Sequence, residues 1–187
     1  MAQIAYFSLC LALLCAIYTI ITALIGLKKR AKQWVTSSSN GLQAIAGLFT
    51  LAMLILLYFL LQRNFHIEYV ASYTNLELPI LYVISALWAG QEGSFLFWGW
   101  VLALGYLVFM KQYKPKDPFE SAYLNLVAAL TLGFFLIVLL FAANPFKQRA
   151  FTPPDGNGLN PLLQNFYMAI HPPILFIGYA GFAIPFA

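Results

Sequence analysis

Pro79–Met110 reads PILYVISALWAGQEGSFLFWGWVLALGYLVFM, and the number of times it crosses a membrane decides the fold. It holds two apolar runs, Ile80–Ala89 and Phe95–Met110, split by Gly90-Gln91-Glu92-Gly93-Ser94. As a helix the first run covers only about 15 Å, half of a hydrocarbon core of roughly 30 Å. Two spans here would also move Lys111, Lys114 and Lys116 outside and invert the positive-inside rule. Ile80–Ala89 is therefore expected to lie as a helix in the outer interface, and Phe95–Met110 alone to cross. Trp88, Trp98 and Trp100 fit an aromatic belt near that surface.

The rest of the chain agrees with a membrane setting. Of its 187 residues 62% are hydrophobic and 9% charged, where soluble domains carry about 25% charged residues. Met1–Leu27, Gln33–Gln62, Gly93–Met110 and Ser121–Phe146 are free of charge. Runs of this length satisfy their own backbone in lipid only as helices. The net charge of +4 is no sign of nucleic-acid binding, because the basic residues end apolar runs. Lys28, Lys29, Arg30 and Lys32 form one cluster, Lys111, Lys114 and Lys116 another, while the alternate loops hold only Arg63, Lys147 and Arg149. That bias puts the two clusters inside and the N-terminus outside. Without a basic n-region, the first run reads as a permanent span rather than a cleaved signal. Cys10 and Cys15 match no metal or redox spacing.

The expected class is an all-α integral membrane protein, a single membrane domain over residues 1–187. About five helices cross, with short interfacial helices on the outer side. Span one runs from Ile4 to Leu27, and a polar turn over Ser37-Ser38-Ser39-Asn40-Gly41 leads to span two, Leu42–Leu61. Gln62–Leu78 is an outer loop. After Phe95–Met110, the inner loop Lys111–Glu120 leads to span four, Ala122–Ala143. In the outer loop Asn144–Ile170, Asn160 and Pro161 make a good N-cap and first turn. Leu162, Leu163, Phe166, Tyr167 and Ile170 then recur at helical spacing, which predicts a surface helix over Pro161–Ile170. That helix should stop at His171, because Pro172 disfavours the α region in the residue before it. The last run, to Ala187, spans about 24 Å and ends without a charged anchor. The fifth span is expected to be incomplete, as in a split gene or a piece of a longer subunit.

Two polar interruptions at the outer surface are candidates for chemistry. In Trp88-Ala89-Gly90-Gln91-Glu92-Gly93-Ser94, a carboxylate between apolar helices is costly unless hydrated or paired, and the glycines permit a tight turn and close approach of a large planar group. A solvated interfacial turn is the plain alternative. In His171-Pro172-Pro173, an imidazole at the mouth of a span suits an axial ligand to haem iron, and equally a proton relay or an interfacial hydrogen bond. His66, beside Glu68, reads as a solvated residue. No nucleophile constellation or phosphate loop is present.

These motifs occur with others in a telling order: Glu68-Tyr69-Val70-Ala71-Ser72-Tyr73-Thr74, Leu78-Pro79, Trp88–Ser94, Asn144-Pro145-Phe146, Gly158-Leu159-Asn160-Pro161-Leu162-Leu163-Gln164 and Ala169-Ile170-His171-Pro172-Pro173. The set resembles the amino-terminal portion of the CcmF family, the haem lyase subunit of cytochrome c maturation. The resemblance implies a haem cofactor bound at the outer face and delivered for covalent attachment to apocytochrome c. It implies His171 as an axial ligand of the haem iron, with Trp88, Glu92, Gly93 and Ser94 as a possible motif site. Implied partners are a haem-carrier protein, other maturation subunits, apocytochrome c and the remaining CcmF portion or a split partner chain. The implied location is the bacterial inner membrane, or alternatively the mitochondrial one. The family's Trp-rich haem-binding loop, second outer histidine and intramembrane histidine pair have no counterpart here, so the chain alone is expected to lack activity. A structural subunit of a larger respiratory or assembly complex is the alternative. A transporter ranks lower, because the central spans carry little polarity beyond Ser, Thr and Asn125.

Overall fold

A computed structural model describes residues 1–113, 117 and 119–184. Lys114 and Lys116 of the second basic cluster, and the run's end at Ala187, lie outside the described residues. Five helices are long and apolar enough to cross a membrane: α1 (Ala2–Lys29), α2 (Lys32–Leu61), α5 (Gln91–Gln112), α6 (Glu120–Phe141) and α7 (Phe166–Ala183). Between them lie the short helices α3 (Glu68–Tyr73) and α4 (Ile80–Ser85), the latter extended by a 3-10 turn over Ala86–Trp88. Pro79–Met110 thus holds one helix long and apolar enough to cross, α5, preceded by the short α4.

The bundle packs small residues inward. On α1, Ala5, Leu9, Ala12, Ala16 and Ala23 are buried, while Phe7, Leu11, Leu14 and Ile21 are exposed. Lipid is as apolar as a leucine side chain, so close backbone approach rather than hydrophobic exclusion holds such helices together. α1 packs on α2 and α6, α5 on α2, α6 and α7, and α7 also on α4 and on the 3-10 turn over Pro161–Leu163. α7 is correspondingly the least covered of the five.

Three expectations need correction. Ser37–Gly41 is not a turn but lies within α2, which begins at Lys32. The turn is Arg30-Ala31, with Arg30 in the left-handed region at φ 49°. Ser38 and Ser39 donate to the Val35 carbonyl at 2.7 and 3.2 Å, so the hydroxyls are satisfied inside the helix. Asn125 Nδ2 on α6 then donates to both Ser38 Oγ (2.8 Å) and Ser39 Oγ (2.9 Å). Tertiary hydrogen bonding outweighs a weak local turn preference.

The second correction concerns Pro161–Ile170. Asn160 does cap, its side chain accepting from Leu162 N at 3.0 Å, but the helix it starts is a 3-10 turn over Pro161–Leu163. A second cap, Asn165 accepting from Tyr167 N at 2.9 Å, starts α7 at Phe166. Third, α7 runs through Pro172 and Pro173 rather than stopping at His171. The prolines lack the N–H groups that would bond the Met168 and Ala169 carbonyls, yet both rings line clefts against Trp88. α7 keeps its helical course without those two bonds.

The two loops read as outer meet at one end. Glu68 N donates to the Lys147 carbonyl at 2.9 Å, Arg149 N to His66 O at 2.9 Å and Asn157 N to Ala71 O at 2.8 Å. Arg63 reaches the Asn75 and Leu78 carbonyls at 3.1 and 2.9 Å. At the opposite end Arg30 pairs with Asp117 at 3.6 Å and lies over the Phe119 ring.

Candidate functional site

The Trp88–Ser94 segment is built around a phenol from another motif. Tyr69 of α3 is buried; its hydroxyl donates to the Ala86 carbonyl at 2.6 Å and accepts from Gly90 N at 3.2 Å. Gly90 caps α5, and Ser94 closes the turn by donating Oγ to the Trp88 carbonyl at 2.8 Å. The glycines are dictated by the tyrosines. A Cβ at Gly93 would overlap the Leu87 carbonyl and the Tyr69 hydroxyl and stand 2.6 Å from Tyr69 Cζ. One at Gly90 would overlap the Tyr73 ring and stand 2.6 Å from its hydroxyl. The planar groups that approach these glycines are therefore Tyr69 and Tyr73, the chain's own rings. Burial holds the Tyr69 phenol well above its ordinary range. Burial, and then the charge of Glu92, raises Tyr73.

Glu92 lines a polar cleft of ≈ 340 Å³ with Glu68, Tyr69, Ser72, Tyr73, Asn144 and Lys147. Lys147 pairs with Glu68 at 3.0 Å, whereas the buried Glu92 Oε2 has no hydrogen-bond partner among the described residues. Trp88 lies elsewhere, in a cleft of ≈ 70 Å³ with Ala89, Leu163, Met168 and Pro172, and in one of ≈ 210 Å³ with Ala169 and Pro173. Its Nε1–H is likewise buried and unused among the described residues.

The fold thus brings Trp88 against the His171-Pro172-Pro173 segment and turns Glu92 toward a different cleft. His171 itself is exposed on α7 and lines neither cleft beside Trp88. His66 places Nδ1 3.2 Å from Thr152 Oγ1. Among the described residues no group of three or more His, Cys, Asp or Glu is placed to hold a metal ion.

Sequence reasoning missed two features. Tyr69 was visible only as a letter in a motif, since its partners lie on other elements. The other is that Trp98 and Trp100 are half-buried between helices. Trp98 packs on Phe135 of α6 and on Phe176 and Tyr179 of α7, while Trp100 Nε1 donates to Thr50 Oγ1 at 2.9 Å. Helical spacing of Phe176 and Tyr179 with Trp98 opposite was the available signal.

Residues 88–187 match the family model described as cytochrome C assembly protein. The chain is 34% identical to the cytochrome c-type biogenesis protein NrfE of Haemophilus influenzae over 99% of its own length. It is 34% identical to the cytochrome c-type biogenesis protein CcmF of Escherichia coli over its whole length. The solved structure of a cytochrome c haem lyase CcmF superimposes with a TM-score of 0.82 over 98% of the chain at 26% identity. In each case the chain spans 29% of the relative's length.

Proposed function

This chain belongs to the cytochrome C assembly protein family, and from that premise we propose that it works in cytochrome c maturation as the haem-handling portion of a membrane haem lyase. It sits in a bacterial inner membrane with Asn144–His171 at the outer face. There it meets a haem carrier, other maturation subunits and apocytochrome c. Bound haem supplies the vinyl carbons to which the apocytochrome's cysteine thiols add as thioethers.

The residues at hand fit one axial ligand and one wall. The His171 ring is exposed and has no hydrogen-bond partner among the described residues, so a ring nitrogen is open to iron. Its neighbour Pro172 shares a cleft with Trp88, whose indole suits one wall for a macrocycle. That meeting of the two motifs is the observation that carries the reading. The clefts beside Trp88, ≈ 70 and ≈ 210 Å³, are smaller than the roughly 300 Å³ at which ligand pockets begin. The other wall and the second ligand therefore come from a further segment or chain.

Haem titration of the purified chain, followed by absorbance, tests the assignment. His171→Ala should abolish the spectrum of imidazole-ligated iron, and His171→Gly with added imidazole should restore part of it. Unchanged spectra in His171→Ala would refute it. The small clefts favour one second reading, a structural subunit that makes no bond to haem, which requires unchanged haem content in the complete assembly carrying His171→Ala.

A further inference from the structure

α2 is longer than a membrane needs. Its 30 residues extend about 45 Å at 1.5 Å per residue, against a core of roughly 30 Å. The stretch Ala44–Leu61 carries no charge and suffices to cross, so Lys32–Gln43 projects to headgroup depth at the end holding the Lys28–Lys32 cluster. Lys32, Thr36, Asn40 and Gln43 fall on one stripe at helical spacing. They line a groove of ≈ 390 Å³, with Ser39 alongside and Ser121 contributed by α6.

We propose that this groove binds the phosphate-bearing headgroup of an anionic phospholipid. Lys32, Asn40, Gln43 and Ser121 make no side-chain hydrogen bond or ion pair among the described residues. Each offers donors, and no carboxylate lines the groove. Arg30 is already engaged by Asp117, and among the described residues that line the groove Lys32 is the cation. The wall is preorganised: Asn125 Nδ2 holds Ser39 Oγ at 2.9 Å and so ties α2 to α6 beneath the site. Basic pockets between transmembrane helices are a recurring design for anionic headgroups. At headgroup depth the phosphate arrives tethered to acyl chains; the same donors would take free phosphate.

The test compares the purified chain in phosphatidylcholine nanodiscs with and without about one-fifth phosphatidylglycerol, and in detergent with millimolar inorganic phosphate. Thermal midpoint and lipids retained in native mass spectrometry are read. Phosphatidylglycerol should raise the midpoint and remain bound, and Lys32→Gln should weaken retention about fivefold, the loss of one near-surface lysine at about 1 kcal/mol. Gln43→Leu should weaken it as well. Lys28→Gln/Lys29→Gln, outside the groove, should retain wild-type binding. An equal loss in that double variant would reduce the effect to general surface charge and overturn the proposal. So would equal stabilisation by phosphatidylcholine, or by inorganic phosphate alone.

Discussion

Gly93→Ala places one methyl group where two elements already touch. The new carbon overlaps the Leu87 carbonyl oxygen and the Tyr69 hydroxyl and lies 2.6 Å from Tyr69 Cζ. Neither neighbour can swing aside: one is backbone at the end of a 3-10 turn, the other a buried ring hydrogen-bonded at both sides. Overpacking costs about 1–3 kcal/mol, and displacing the phenol leaves the Ala86 carbonyl or Gly90 N–H unsatisfied for about 1–3 kcal/mol more. The better helix propensity of Ala offsets less than about 1 kcal/mol. A net loss of about 3 kcal/mol corresponds to a fall in thermal midpoint on the order of 10 °C, at roughly 2–4 °C per kcal/mol for a chain of this size. Thermal unfolding of the detergent-purified protein measures it. Gly178→Ala is the control, because a Cβ there meets nothing within 4 Å, and should move the midpoint little. Tyr69→Phe removes one of the clashing atoms, so Gly93→Ala should cost less in that background than in the wild type. Equal midpoints for Gly93→Ala and Gly178→Ala, or strict additivity with Tyr69→Phe, would refute the reasoning.

Tyr69 and Tyr73 both titrate above the ordinary phenol value of 10.0, so the fold favours their neutral forms. Their stabilisation is complete below about pH 10 and lost as pH rises through the folded values. The midpoint should therefore fall above pH 10, and Tyr69→Phe should flatten part of that fall, read beside a 295 nm titration. Asn125→Ala removes both bonds to the α2 serines and should cost about 1 kcal/mol in unfolding assays, the usual net scale of an intramolecular hydrogen bond. Single cysteines at Arg149 and Lys28, in a chain freed of Cys10 and Cys15, should label from opposite faces of sealed vesicles, Arg149→Cys from the outside. Labelling of both from one face would overturn the orientation.

What could be read from the residues alone was whatever depends on length and charge. A run such as Ile80–Ala89 is too short to cross whatever surrounds it, and the positions of Lys and Arg do not depend on packing. What could not be read depends on a partner element. Ser37–Gly41 has the composition of a turn, yet its hydroxyls bond within α2 and Asn125 reaches two of them from α6. Pro172 and Pro173 have the signature of a helix stop, yet α7 runs through both, with each ring lining a cleft shared with Trp88.

The same distinction separates architecture from chemistry in the candidate site. Gly90 and Gly93 look, in sequence, like room left for a ligand, but Tyr73 and Tyr69 occupy that room. The motifs Glu68–Thr74 and Trp88–Ser94 are therefore one unit, in which each tyrosine requires a glycine opposite. Once those four residues are assigned to the fold, the buried polar side-chain atoms of the Trp88–Ser94 motif left without a partner among the described residues are the Trp88 N–H and one Glu92 oxygen. The two side chains line different clefts, Trp88 beside Pro172 and Glu92 beside Lys147 and Asn144. A single large cofactor lying along α7 would meet Trp88 and leave Glu92 untouched. Glu92→Gln should then leave haem absorbance unchanged while Trp88→Phe weakens haem retention, and the reverse order of effects would place the cofactor in the Glu92 cleft instead.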